Sequence, residues 1–256
     1  MLKNFKNHQW LSSVTIALGC TFSSFAFADT ANVMVFGDSN TWGWVPVENV
    51  APTTRYPKEV RWPGVAQAAL GSDYDIIEEG LSGRNSAFQD AGIPIAGEGV
   101  DGDGAGMDAD EYLPAAIASN LPLDLVVIML GTNDARENLN LSAEDIAANI
   151  MKLGVEVSQN TGVFTTYDPA KVLIVAPPHI GNITVDWLAE SYSQNSVEKT
   201  TQLAGILEPL AEAAGFGFFD AGSVASIDGI DGLHMSPESH KAIGDAIAVE
   251  ISEMLE

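Results

Sequence analysis

Cysteine is nearly missing from this chain, with Cys20 the single one among 256 residues. No intramolecular disulfide can form, so stability must come from a hydrophobic core. Positive charge is scarce: 11 Lys and Arg stand against 35 Asp and Glu, for a formal charge of −24. Such a chain repels phosphate backbones and anionic lipid, so neither nucleic acid nor a membrane surface is an expected partner. The acidity reads as a solvated surface and says nothing about reaction type. Four histidines and one cysteine form no cluster at metal-ligand spacing, so no metal is expected. A Gly-x-Ser-x-Gly elbow is also absent, which argues against the α/β-hydrolase architecture.

The start of the chain reads as a targeting segment. Lys3 and Lys6 precede a charge-free, mostly apolar stretch from Trp10 to Gly19, and Ala26-Phe27-Ala28 is an A-x-A-like cleavage site. These are the three parts of a secretory signal peptide. The apolar run is shorter than the roughly 20 residues a membrane span needs. Residues 1–28 are therefore set apart as a signal peptide, and residues 29–256 as one domain. Removing two lysines and no acids takes the charge from −24 to −26. The expected location is secreted or periplasmic. Ala17-Leu18-Gly19-Cys20 loosely resembles a lipoprotein cleavage box, so a lipid anchor at Cys20 is the second reading.

Hydrophobic residues make up 46% of the chain, enough for a real core. Short apolar runs at Val33–Phe36, Tyr74–Glu78, Leu123–Leu130, Lys171–Ala176 and Phe216–Phe219 read as five strands. Helical patterns fall between them, most clearly over 142–158, 187–214 and 236–255. Ser142 with Asp145 resembles a capping box, and Ser236-Pro237 is a good N-cap and first helical position. Strands alternating with helices predict an α/β fold with a parallel sheet covered on both faces. The acidic, glycine-rich stretch 88–110 is too long for a plain connection and reads as a mobile or functional loop. Its aspartates fail the EF-hand pattern at Ala105, which favours a solvated loop over a calcium site.

In a parallel sheet, ligands sit beyond the carboxyl ends of the strands. Gly37-Asp38-Ser39-Asn40, Gly80-Leu81-Ser82-Gly83 and Gly131-Thr132-Asn133-Asp134 follow the first three strands. Asp231-Gly232-Leu233-His234 lies between the fifth strand and the last helix. Singly, each has a plainer reading: a helix cap, a turn glycine, a turn, a surface contact. Together they supply what acyl transfer needs. A serine hydroxyl requires a base, usually a histidine oriented by a carboxylate. A developing oxyanion requires fixed donors, which backbone amides at Ser39 and Gly83 and the Asn133 side chain can provide.

This set resembles the four blocks of the GDSL/SGNH hydrolase family over nearly all of residues 32–255. Longer strings are similar to its mycobacterial-type arylesterase/acyltransferase branch: Gly37 through Glu48, Ile77-Glu78-Glu79-Gly80-Leu81-Ser82, Leu121 through Val126, and Phe219 through Val224. The resemblance implies a flavodoxin-like three-layer fold around a five-stranded parallel sheet. It implies Ser39, Asp231 and His234 as catalytic triad, and Ser39, Gly83 and Asn133 as oxyanion hole. Asn40 and Trp44 are then expected in the substrate pocket. The branch usually has leucine where Asn40 stands, and the loop near 88–110 looks longer than its counterpart. The implied reaction is hydrolysis of short-chain aryl or alkyl esters, with acyl transfer to an alcohol competing with water. It requires no cofactor, and a homo-oligomer stays open. A carbohydrate acetyl esterase is the enzymatic alternative, and a ligand-binding protein on the same fold the non-enzymatic one. Trp42 reads equally as core or pocket wall, His179 could reach the pocket mouth, and His240 reads as surface or packing.

Overall fold

The computed structural model describes residues 30–49, 53–87, 108–162 and 165–256. The segment expected to be a signal peptide and most of the acidic glycine-rich loop lie outside the described residues. Five strands form one parallel sheet in the order β2-β1-β3-β4-β5. They are β1 (Ala31–Gly37), β2 (Tyr74–Gly80), β3 (Leu125–Met129), β4 (Lys171–Ala176) and β5 (Gly217–Asp220). Successive side chains of a strand point to opposite faces, so a strand buried on both sides must be apolar throughout. In β1, Met34 and Phe36 join one core cluster while Val33 and Val35 join the other. β3 and β4 divide in the same way. These two cores make the expected three layers.

Helices α3 (Ala109–Asn120), α4 (Ala143–Asn160) and α6 (Gln194–Ala214) cover the Met34/Phe36 face. α4 buries Ile146, Ala147, Ile150, Leu153 and Val157, the spacing of a single helical stripe. The Ser142–Asp145 capping box opens it as expected. On the opposite face, α2 (Trp62–Leu70) packs against α7 (Pro237–Leu255). A Cβ on Gly244 would lie 2.6 Å from the Val65 Cβ and 2.7 Å from the Trp62 carbonyl oxygen. Only glycine lets these two helices approach so closely.

The helix expected over 187–214 is two pieces. α5 (Asp186–Ala189) ends, the chain turns at Glu190 and Ser191, and α6 begins afresh at Gln194. Ser193 is the reason: its hydroxyl accepts from the Asn195 amide while its own amide donates to Ser196 Oγ. Serine competes for backbone groups in this way, and an N-cap outcompetes a continuous helix here. The ends of the central strands are aligned across the sheet. Gly37 pairs with Gly80 on one side and Met129 on the other. The segments after β1, β2 and β3 therefore leave the sheet side by side.

Candidate active site

Asp38 terminates β1 and caps a four-residue helix, α1 (Ser39–Trp42), by accepting from the Asn40 amide at 2.9 Å. This turn presents Ser39 at the carboxyl edge of the sheet. From the other side of that edge come Asp231 and His234. A Cβ on Gly232, at φ +76°, would lie 2.0 Å from the Asn182 carbonyl oxygen. Glycine is thus required between them, and it closes the turn that brings the two side chains together. His234 Nδ1 lies 2.8 Å from Asp231 Oδ2, and His234 Nε2 lies 3.0 Å from Ser39 Oγ. All three residues are buried.

The charge state is set by the surroundings. Burial pulls the Asp231 carboxyl upward, but the bond and charge of His234 and the amides of Leu233 and His234 outweigh it. Its pKa is held below the ordinary value, so it stays ionised near neutrality. The ionised carboxylate accepts a hydrogen bond from Nδ1–H, leaving Nε2 to accept from the Ser39 hydroxyl. That is the arrangement a serine nucleophile needs.

Asn133 follows β3 and reaches the same edge. Its Nδ2 donates to the Arg84 carbonyl at 3.0 Å and, more loosely, to Asp38 Oδ2 at 3.4 Å. Its Oδ1 accepts from Arg136 Nη2 at 2.6 Å and from Tyr192 Oη at 3.1 Å. Gly83 lies in the turn after β2, next to Arg84. Among the described residues, neither the Ser39 nor the Gly83 amide has a hydrogen-bond acceptor. Asp38, beside Ser39 in the chain, has its pKa driven up to about 6 by burial against the pull of the Asn40 amide. Arg84 is buried over the faces of Phe36 and Tyr112, 4.1 and 5.0 Å from the ring centres. Ser86 donates through its amide at 2.8 Å, and through its hydroxyl, to Asp134, tying the β2 and β3 turns together.

Trp44 stacks on the His234 ring, with centroids 5.1 Å apart and planes 16° from parallel. The Trp187 and Trp42 rings lie 6.4 and 6.2 Å from the Trp44 ring. Asn40 donates through Nδ2 to the Leu233 carbonyl at 3.2 Å, linking the nucleophile turn to the segment carrying His234. His179 is exposed and lines a cavity of about 370 Å³ together with Tyr192 and Val197. His240 is packing: it is fully buried, accepts from the Trp62 amide at 3.3 Å, and burial lowers its pKa to about 4. Asp108 caps α3 and Asp110 pairs with Lys152 at 2.6 Å.

Sequence reasoning passed over Arg136, Tyr192, Trp187 and Asp38. A basic residue three positions after Asn133 was a usable signal for Arg136. Tyr192 was hidden inside what read as a continuous helix.

Comparison with known proteins gives a consistent result. The model of the GDSL-like Lipase/Acylhydrolase family matches residues 33–247. An inhibitor-bound M. smegmatis aryl esterase superposes with a TM-score of 0.81 at 40% identity, covering 88% of this chain and 100% of that one. A carbohydrate acetylesterase from Sinorhizobium meliloti superposes at 0.80 with 41% identity, covering 88% and 99%. A G-D-S-L lipolytic protein from Veillonella parvula, at 14% identity and a TM-score of 0.56 over 86% of this chain and 97% of that one, shares the fold alone. A search of curated proteins returned no significant match.

Proposed function

From the premise that this chain belongs to the GDSL-like lipase/acylhydrolase family, and is a carboxylic ester hydrolase, we propose that it cleaves small aryl and alkyl esters of short acids through an acyl-Ser39 intermediate. The carrying observation is the unbroken chain Ser39–His234–Asp231, at 3.0 and 2.8 Å.

In this reading His234 Nε2 takes the proton of Ser39 as Oγ bonds to the ester carbonyl carbon. The carbonyl electron pair moves onto oxygen, where the Ser39 and Gly83 amides and Asn133 Nδ2 receive it. Collapse re-forms the carbonyl and breaks the bond to the alkoxy oxygen, which leaves with the proton from His234. Water then attacks the acyl carbon with His234 again as base, and collapse breaks the bond to Ser39 Oγ, which takes the proton back from His234 as the acid leaves. Asp231, held ionised, offsets the positive charge that His234 carries between these steps. Carbohydrate acetyl esters fit the same machinery, and the aryl esterase and the carbohydrate acetylesterase divide between these substrate classes.

A panel of p-nitrophenyl esters beside acetylated sugars distinguishes the substrate classes. Ser39→Ala should abolish turnover and fluorophosphonate labelling together. Wild-type turnover in Ser39→Ala would overturn the proposal.

Acyl transfer to alcohols is the finer reading, supported by Trp44 against the His234 ring. An apolar wall favours an alcohol over water by about 0.8 kcal/mol per buried CH₂. That cannot overcome the concentration of water, so hydrolysis leads and transfer grows with alcohol. With vinyl acetate and benzyl alcohol, no benzyl acetate above an enzyme-free control would remove the transfer reading alone. The export reading of residues 1–28 is supported by Lys3, Lys6 and Ala26-Phe27-Ala28. Mass spectrometry of exported protein should find Asp29 first, and a lipid on Cys20 would overturn it.

A further inference from the structure

We infer that Arg136 and Tyr192 are positioning residues, a clamp that fixes the orientation of the Asn133 amide and strengthens its N–H as a donor. The inference rests on the reading of Asn133 as an oxyanion donor.

A carboxamide can sit either way round, and only its hydrogen-bond partners decide. Here the oxygen end faces two donors, Arg136 Nη2 at 2.6 Å and Tyr192 Oη at 3.1 Å. Arg136 Nε in turn donates to Tyr192 Oη at 3.2 Å, which commits the tyrosine's own proton toward Asn133. A flipped amide would set its NH₂ against both donors and its oxygen against the Arg84 carbonyl. With all three side chains buried, no water relieves that mismatch. Nδ2 is therefore held toward Arg84, Asp38 and the Ser39 edge.

The guanidinium does more than orient. A cation at the amide oxygen draws electron density from nitrogen, polarising the N–H groups at the other end in a low-dielectric setting. Such a donor is stronger toward a developing oxyanion without any reorganisation during the reaction.

The chain invests in holding the clamp closed. The Glu137 amide donates to the Ser191 carbonyl at 3.0 Å. The Glu137 carboxylate accepts from Ser193 Oγ, Asn195 Nδ2 and Ser196 Oγ at 2.5 to 3.3 Å. The residue beside Arg136 thus straps down the residues beside Tyr192. This strap lies at the interruption between α5 and α6.

The test is steady-state hydrolysis of p-nitrophenyl acetate by Arg136→Met, Arg136→Lys and Tyr192→Phe, each alone and combined with Asn133→Ala. Arg136→Met should lower kcat about 10- to 100-fold, the range for a hydrogen bond to a charged group, with KM little changed. Tyr192→Phe, which keeps the packing, should lower kcat about 3- to 10-fold. Arg136→Lys should recover part of the loss. In the Asn133→Ala background these losses should shrink to about twofold or less, as for residues acting through one group. Full-sized losses in that background, or effects confined to KM, would overturn the clamp while leaving Asn133 in place. Wild-type kcat in Asn133→Ala itself would remove the oxyanion reading and the clamp with it. Should Arg136→Met fail to fold, Tyr192→Phe carries the same comparison.

Discussion

Replacing Asn133 by alanine removes one donor of the proposed oxyanion hole and leaves two backbone amides. The expected cost is about 3 kcal/mol of transition-state stabilisation, read as a fall in kcat. A change in KM alone would make Asn133 a substrate contact instead. Gly232→Ala tests another single position. Its φ of +76° and the Asn182 oxygen 2.0 Å from a Cβ leave no room for a methyl group. The variant should lose activity well beyond its loss of thermal stability, because the turn that closes Asp231 onto His234 must open. Equal activity would mean the turn accommodates the methyl elsewhere. At this scale, the residues to which the proposed function gives the chemistry were legible by position: Ser39 and Asn133 stand just past strand ends, and Asp231 and His234 just before the start of α7. Asp38, Arg136 and Tyr192 were not, because their roles depend on burial and on partners as much as 95 positions away.

The elements show the same division. All five strands were legible: β1, β3 and β4 as apolar runs, since a strand covered on both faces leaves no polar alternation, and the part-buried edge strands β2 and β5 from the short apolar cores they carry at Ile76-Ile77 and Phe218-Phe219. α4 and α7 were legible from their caps and buried stripes. The short α1 escaped notice, being too brief for a period to register. The 187–214 helix was misread because the sequence around Ser191-Tyr192-Ser193 contains neither glycine nor proline to announce a break. Ser193→Ala measures what that break is worth. Loss of the cap should cost about 1 kcal/mol, seen in chemical denaturation. It should also loosen Tyr192 and lower kcat modestly, whereas Ser142→Ala, which removes the α4 cap, should cost similar stability with kcat unchanged. Equal kcat in both variants would separate the α6 cap from the site.

Across the whole molecule, two buried groups give opposing dependences on pH. Asp38 rises from 3.8 to about 6 in the folded chain, chiefly through burial. Its protonated form is favoured by folding, so its contribution is present in full below 3.8 and is lost as pH rises through about 6. His240 falls from 6.5 to about 4, again through burial. Its neutral form is favoured, so its contribution is present above 6.5 and is lost as pH falls through about 4. Each shift corresponds to about 3 kcal/mol, and the windows overlap with opposite sign. From these two groups alone, wild-type stability should change little between pH 6.5 and 4.5. Relative to wild type, Asp38→Asn should lose roughly 2 kcal/mol across that interval and His240→Gln should gain about as much. Urea titrations at the two pH values check it, and parallel curves for all three proteins would refute it.

The direction of α7 carries one more consequence. It begins just after His234 at the reactive edge and runs 19 residues back along the sheet, about 28 Å at 1.5 Å per residue. Its end meets the opposite rim, where Lys171, the first residue of β4, donates to the Met254 carbonyl. The start of β1 lies on that same rim. An attachment made at Glu256, or before Ala31, therefore holds the protein by the side facing away from Ser39. Coupled to a bead or electrode through either point, the enzyme should turn its open face to the solution and keep its access to dissolved ester. Coupling through the turn after β1 would bury that face against the support.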